Sequence, residues 1–417
     1  MKYFMSFLGT GKYQPCHYAW PNGQSPEVRY VQTASLMRTG AVDRVLIFCT
    51  QGAKAVHFNG LCEEFAKNGL PLPTCIDIVD GLDEEGMWSI FSKVIENVPE
   101  NVEIVFDATH SFRSLSVIMS IILNYLKVVR AAVLNACYYG AWEARDANGN
   151  VAPLVDLNPF FELNDWTIAV RDFTKLGDAK LLNRLAVNSL LPGLKSRDEE
   201  SLKVRALASH VLAFTDNMRV NRLGNSGRDG TLAGSSYKRI LSNFETVRES
   251  ERLPLPMKPI LEKIVLPFSR MQDDDGTTAE LTKGMVAAKW ACDHDLIPQG
   301  FTLLEEAIIG FVSAVLDFEG RCTEKGRPFD VLARRSVASQ LLNGYGDQVF
   351  ASQFDDVKSK YGAGLVPLFR ALVIARNNIN HAGTGNDTPP SIGSFKNSLE
   401  RLVCKFAEMF GVNLGER

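Results

Sequence analysis

The sequence predicts an α/β domain with a mostly parallel sheet and helices on both faces, followed by an all-α region. Up to about residue 158, apolar runs of strand length alternate with helical stretches, as in a sheet whose strands are joined by helical crossovers. After Asn158-Pro159 every periodic segment repeats at helical spacing and no strand pattern returns. A length of 417 residues allows two or three domains, each with its own core.

In chain order, strands are expected near 2–9, 44–50, 74–80, 102–108 and 132–140, with helices near 26–39, 53–68, 84–97 and 111–129. Val102, Ile104, Val105 and Phe106 read as a strand buried on both faces, and Leu115 to Leu126 supply too many apolar residues for an exposed helix. Asn148-Gly149 marks a turn, and its flanking segments predict a terminal hairpin. Beyond residue 159, two long amphipathic stretches precede a Gly/Ser-rich segment, Gly224 to Ser236, bordered by Arg219, Arg222, Arg228, Lys238 and Arg239. It reads as a surface loop, with a basic flap touching RNA as the alternative. A break at Gln272–Gly276 precedes another helix, and the C-terminal helices begin near Leu296. The domains expected are therefore 1–158, 159–290 and 291–417.

A net charge of −3 argues against tight duplex binding by bulk phosphate neutralisation; nucleic-acid chemistry would need a local site. No run is long enough to cross a bilayer, and Lys2, Gly9, Gly11 and Lys12 interrupt any signal-peptide pattern, so a cytoplasmic protein without a membrane partner is expected. Eight cysteines lack CxxC spacing and read as reduced thiols. No His/Asp/Glu cluster has metal-ligand spacing, so no metal is expected.

Three strand ends carry residues suited to an anionic ligand. The strand 102–106 breaks into Asp107, Ala108, Thr109, His110, Ser111, Phe112 and Arg113 before a long helix. The first strand ends in Gly9, Thr10, Gly11 and Lys12, with room for close backbone approach, a hydroxyl and a cation. The spacing is not that of a Walker loop. The second strand ends in Thr50, Gln51 and Gly52. The carboxyl edge of a parallel sheet, next to helix N-termini, is where such ligands rest. The bland alternative for 107–113 is a capped helix start.

A second constellation lies at a helix end: Arg376, Asn377, Asn378, Ile379, Asn380 and His381, then Gly383, Gly385 and Pro389-Pro390. This set suits phosphodiester chemistry on RNA, which brings its own 2′-hydroxyl nucleophile. His381 titrates in the useful range for a base, Arg376 can neutralise a developing phosphorane, and Asn377 and Asn380 can orient without charge. Residues five apart on a helix differ by about 140° and about 7.5 Å, so Arg376 and His381 converge only at a distorted end or with a second chain. The alternative is a cationic helix cap. Glu305 and Glu306 sit in an apolar helix of the same region, with one of them a candidate for burial near this site. The remaining histidines, His17, His57, His210 and His294, read as ordinary surface or core residues.

The segments FLGTGKY and DATHSFRSL together resemble the CARF domains of CRISPR-associated type III ancillary proteins, including the subgroup with an Asp-x-Thr-His-Gly motif; this chain has Ser111 at the glycine position. RxxxxH with Asn directly after the arginine resembles the signature of HEPN ribonucleases. The resemblance spans nearly the whole chain and is strongest at 1–145 and 296–385. It implies a Rossmann-like CARF domain, a helical linker and a C-terminal HEPN domain in a homodimer or higher homo-oligomer. It also implies activation by cyclic oligoadenylate, with four adenylates the commoner ring for this subgroup and six the alternative. Gly9, Thr10, Gly11, Lys12, Thr50, Gln51, Asp107, Thr109, His110, Ser111 and Arg113 would hold the ring, and Arg376, Asn377 and His381 would cut single-stranded RNA without a metal or catalytic cofactor. Thr10, Lys12 and His110 are candidates for slow cleavage of the ring itself. A ligand-sensing regulator without nuclease activity is the rival reading. A dehydrogenase is disfavoured because GxGxxG is missing and no acidic residue closes the second strand.

Overall fold

Along Lys2–Leu8 (β1), Phe4 and Leu8 enter one core while Tyr3, Met5 and Phe7 enter another. A strand apolar on both sides is stable only when both faces of its sheet are covered, and the computed structural model shows how they are. It describes residues 1–110, 113–223, 233–253, 258, 261–263, 265, 278–346, 348–380 and 391–414. The chain divides into two compact units, Met1–Asn164 and Asp165–Arg417.

The first unit holds an eight-stranded sheet in the order β3-β2-β8-β7-β6-β1-β4-β5. The strands are β1, β2 (His17–Trp20), β3 (Gly23–Gln24), β4 (Arg44–Cys49), β5 (Thr74–Asp77), β6 (Glu103–Asp107), β7 (Val133–Gly140) and β8 (Val151–Asp156). From β5 through β4, β1 and β6 to β7 the pairing is parallel throughout. One face is covered by α1 (Val31–Thr39) and by α2, which runs from Gln51–Ala53 through a π turn at Lys54–Phe58 into Asn59–Lys67. The other face is covered by α3 (Glu84–Asn97) and α4 (Arg113–Val129). The expected mostly parallel sheet with helices on both faces is what forms.

The expected hairpin is present as the antiparallel pair β7/β8, with Gly149 at φ 74° in the connection. Periodicity missed β2 and β3. They are four and two residues long, too short to show alternation, and exist by pairing onto the free edge of β8. The helix expected from residue 26 starts at Val31, because Val28 pairs with Cys16 as an antiparallel bridge and the N–H groups of Arg29 and Tyr30 are taken by the Glu64 carboxylate. α1 also buries Gln32, Thr33 and Ser35 among its apolar residues, which a purely hydrophobic pattern cannot anticipate. Gln32 Nε2 donates to the Phe7 carbonyl at 2.9 Å, tying the end of β1 to this helix.

α4 is apolar almost all round, but only one side is covered. Leu115, Met119, Ile122, Leu123 and Leu126 are buried, whereas Val117, Ile121 and Val128 are 62%, 63% and 79% exposed. No helix among the described residues is long and apolar enough to cross a membrane.

The second unit is helical: α5 (Asn158–Leu176, which begins in the first unit), α6 (Lys180–Ser189), α7 (Leu191–Lys195), α8 (Glu199–Met218), α9 (Ala233–Val247), α10 (Ala279–Asp293), α11 (Ile297–Val315), α12 (Val331–Leu342), α13 (Gln348–Tyr361), α14 (Leu365–Asn380) and α15 (Ile392–Phe410). Asp198 and Asp330 cap α8 and α12 by accepting backbone N–H groups, which satisfies donors the helix leaves free. One core runs from Trp166 to Phe410 and takes residues from both sides of position 290. Most of the Gly/Ser-rich segment and the break at 272–276 lie outside the described residues.

Truncating Leu123 to Ala should cost about 2–5 kcal/mol in chemical denaturation, since it removes packing atoms from a closed core. Val128→Ala on the uncovered side of α4 should stay within about 0.5 kcal/mol of the parent.

Candidate functional site

β1 lies parallel to β6, with Ser6 opposite Asp107, so the loops leaving their carboxyl ends emerge side by side. Within the parallel run, β1 is followed by β4 and β5 on one side and then by β6 and β7 on the other, which makes this gap the topological switch point of the sheet. A cavity of about 250 Å³ opens there, lined by Gly9, Thr10, Gly11, Thr50, Thr109 and His110 together with the apolar Phe7, Leu8, Ile78 and Leu115. Six of the expected ligand residues thus meet in one crevice.

Neither glycine is demanded by the protein. A Cβ on Gly11 would meet nothing within 4 Å, and one on Gly9 would find its nearest neighbour, the Tyr13 hydroxyl, at 3.7 Å. Thr50 caps α2, accepting the Ala53 N–H at 3.3 Å, so the start of that helix adjoins the crevice. Gln51, the first residue of α2, is exposed and does not line the cavity. Lys12 is exposed and lines a second cavity of about 160 Å³, with Arg29, Tyr139, Trp142 and Glu143 among its walls; Thr109 and His110 line both. Arg113 opens α4. Ser111 lies outside the described residues.

Asp107, expected to contact the ligand, is instead a buried anchor with 0% exposure. Its Oδ1 accepts the Thr109 N–H at 3.0 Å, and its Oδ2 accepts the Ser35 hydroxyl from α1. Burial raises its pKa, and these hydrogen bonds oppose the shift. Thr109 in turn accepts the Gly140 N–H through Oγ1 at 2.9 Å, fastening the loop to the end of β7. The rim is therefore held from beneath and from one side.

Two buried residues missed in the sequence brace the loops from behind. The Tyr13 hydroxyl accepts the Gly9 N–H at 2.9 Å, and its ring lies 4.2 Å from that of His110 and 4.6 Å from that of His57. His57, 4% exposed on the π turn of α2, lies with Nε2 2.9 Å from the Gly11 carbonyl. Nε2 therefore carries the proton, and Nδ1 faces the Tyr30 hydroxyl at 3.5 Å. Burial, reinforced by His57, pulls the pKa of His110 down to about 4. His110 is thus neutral near pH 7. The crevice is lined by threonines, two glycines and a neutral imidazole.

In the helical unit, α11 buries Leu303, Leu304, Ile308 and Ile309, and in the same stretch Glu305 at 6% exposure. Its Oε2 lies 2.9 Å from Arg376 Nε on α14, a charge contact without hydrogen-bond alignment. Arg376 Nη2 donates to Asn377 Oδ1 at 3.0 Å. Burial raises the pKa of Glu305, and Arg376 opposes it. Glu306 pairs instead with Arg335 of α12. The structure brings Arg376 and Asn377 together with one of the two expected acidic residues; Asn380 is exposed at the end of α14. His381, Gly383, Gly385 and Pro389-Pro390 lie outside the described residues. Among the described residues, no group of three or more His, Cys, Asp or Glu is placed to hold a metal ion.

No protein-family model matches the chain. A stretch of 117 residues is 33% identical to the CRISPR-associated protein MJ1674 of Methanocaldococcus jannaschii. The chain thus carries a segment similar to a CRISPR-associated protein. That stretch is 27% of this chain and 18% of the relative, so the chain spans less than a fifth of that protein's length. Among solved structures, Enterococcus italicus Csm6 bound to cyclic hexa-2'-fluoro-hexa-dAMP aligns over 98% of this chain and 93% of its own, with 10% identity and a TM-score of 0.46, too loose a likeness to carry site residues across.

Asp107→Ala should cost roughly 2–4 kcal/mol in urea unfolding, because it strands the Thr109 N–H and the Ser35 hydroxyl without their acceptor. His110 has a folded pKa below its unfolded value, so its share of stability is present above pH about 6.5 and is lost as pH falls toward about 4. Unfolding free energies of wild type and His110→Asn at pH 7.5 and 4.5 check this: the variant should gain on wild type by about 1–3 kcal/mol at the lower pH.

Proposed function

We propose that this chain is an endoribonuclease of type III CRISPR antiviral defence, switched on by cyclic oligoadenylate. Residues 1–158 would sense the ring, 159–290 would link, and 291–417 would form the HEPN nuclease. The crevice carries the reading: two loops that resemble CARF ligand loops meet at the switch point of a parallel sheet, with glycines and hydroxyl-bearing residues lining open space. The similarity to a CRISPR-associated relative supports the biological setting.

A cyclic oligoadenylate presents repeated phosphates and purine rings. The backbone N–H of Gly11 and the hydroxyls of Thr10 and Thr50 suit the phosphates, Lys12 supplies a cation at the rim, and His110, backed by Tyr13, offers a flat surface to a base. Tetra-adenylate is the proposed ring, with hexa-adenylate the alternative. A ring with rotational symmetry suits a two-fold pair of crevices, and the uncovered apolar side of α4, with Val117, Ile121 and Val128, supports pairing of two chains.

Cleavage would follow from 2′-hydroxyl attack. His381 would take the 2′-hydroxyl proton, the O2′–P bond would form as the P–O5′ bond breaks, and the departing O5′ would take a proton from water, giving a 2′,3′-cyclic phosphate and a 5′-hydroxyl end. Arg376 would stabilise the charge on the phosphorane and Asn377 would hold the arginine through the hydrogen bond already present. A rival reading, a ligand sensor without nuclease activity, takes the Arg376–Glu305 contact as a tie between α11 and α14.

Purified protein incubated with fluorescent single-stranded RNA in EDTA, with cyclic tetra-adenylate or hexa-adenylate, separates the readings. Cleavage should depend on one ring and fall by at least about 100-fold in Arg376→Ala or His381→Ala. Ring binding without cleavage would leave the sensor. Gly11→Ala should keep its stability within about 0.5 kcal/mol, since the protein leaves that space open, and should weaken ring affinity by calorimetry.

A further inference from the structure

We infer that Glu305 is a positioning residue for Arg376, placed in the helical core to fix the guanidinium that meets the scissile phosphate. This inference rests on the nuclease reading above.

The position of Glu305 is costly. α11 is otherwise apolar along this side, and a carboxylate at 6% exposure loses most of its hydration. Burial raises its pKa, so the fold gains little from keeping a charge there. A buried ion pair is often no more stabilising than a neutral pair of similar volume, which makes stability a weak reason for this one. The geometry supplies another reason. Arg376 is the partner at 2.9 Å, reached through Nε, while Nη2 is engaged by Asn377 at 3.0 Å. A guanidinium has five N–H donors in one plane; the aligned bond from Nη2 to Asn377 orients one edge, the Glu305 carboxylate draws the charge toward the Nε side without an aligned bond, and other donors are left for a phosphate. The adjacent Glu306 serves as an internal comparison. It is exposed, pairs with Arg335, and has no described contact with Arg376.

Fixing Arg376 before substrate arrives lowers the reorganisation needed in the transition state, an effect that appears in kcat more than in KM. The experiment measures ring-activated RNA cleavage by wild type, Glu305→Gln, Glu306→Gln, Arg376→Ala and the double variant Glu305→Gln/Arg376→Ala, with the melting temperature of each. Glu305→Gln should melt at or above the wild-type temperature, yet lose about 10- to 100-fold in kcat with KM changed by less than about twofold. Glu306→Gln should keep its kcat. The double variant should be no slower than Arg376→Ala alone, because Glu305 acts through the arginine. Where Gln is not tolerated, Glu305→Met provides the uncharged side chain of similar size.

Wild-type kcat in Glu305→Gln, a loss that tracks a fall in melting temperature, or a further loss on top of Arg376→Ala would each overturn the inference. Wild type that binds a ring and cuts no RNA would fail at the earlier step and overturn the nuclease reading itself.

Discussion

The crevice depends on a carboxylate that never touches it. Asp107 is sealed beneath the end of β6, accepting one hydrogen bond from the loop it precedes and another from α1. Burying a carboxyl there is unfavourable in itself, and the two donors offset that cost only if the loop takes one shape. The fixed path of residues 107–109 then sets Thr109 against β7 and His110 against Tyr13. From the other strand, Tyr13 returns a hydroxyl to the Gly9 N–H, so each loop is braced by a polar contact outside the open space. The donors that remain facing the cavity are held by the fold and need little rearrangement to meet a ligand.

The helical unit uses a buried charge differently. Glu305 is also an acid among apolar neighbours, but its partner is an arginine side chain on another helix, not the backbone of its own loop. A backbone partner fixes main-chain shape; a side-chain partner ties one helix to another. The two units thus apply the same unfavourable element, a carboxyl removed from water, to two kinds of precision.

Much of this was legible in the sequence, for identifiable reasons. Strands buried on both faces are continuous apolar runs, so β1, β4 and β6 stood out, and their carboxyl ends located the crevice through Gly9, Thr50 and Thr109. Side-chain burial at a strand end has no such signature. Asp107 looked like a ligand because its anchor, Ser35, lies 72 residues away and the pairing exists only in three dimensions. His57 was invisible for a related reason: a π turn of α2 carries it to the Gly11 carbonyl, and nothing in KAVHF announces that turn. Glu305 left a trace, an acid inside FTLLEEAIIG, but periodicity could not say which of two glutamates turns inward. The edge strands β2 and β3 were missed because pairing, not composition, makes them strands.

Within the first unit, α4 runs from the crevice to an uncovered surface. It starts just after the loop that bears Thr109 and His110 and runs for 17 residues, about 25 Å as a helix. Its buried side is locked to the sheet while its other side carries Val117, Ile121 and Val128 into solvent. The helix thus carries any change of angle at its crevice end to a surface about 25 Å away. A tilt of about 5° at the loop end moves Val128 by about 2 Å, enough to bring a row of side chains into or out of register with whatever lies against it.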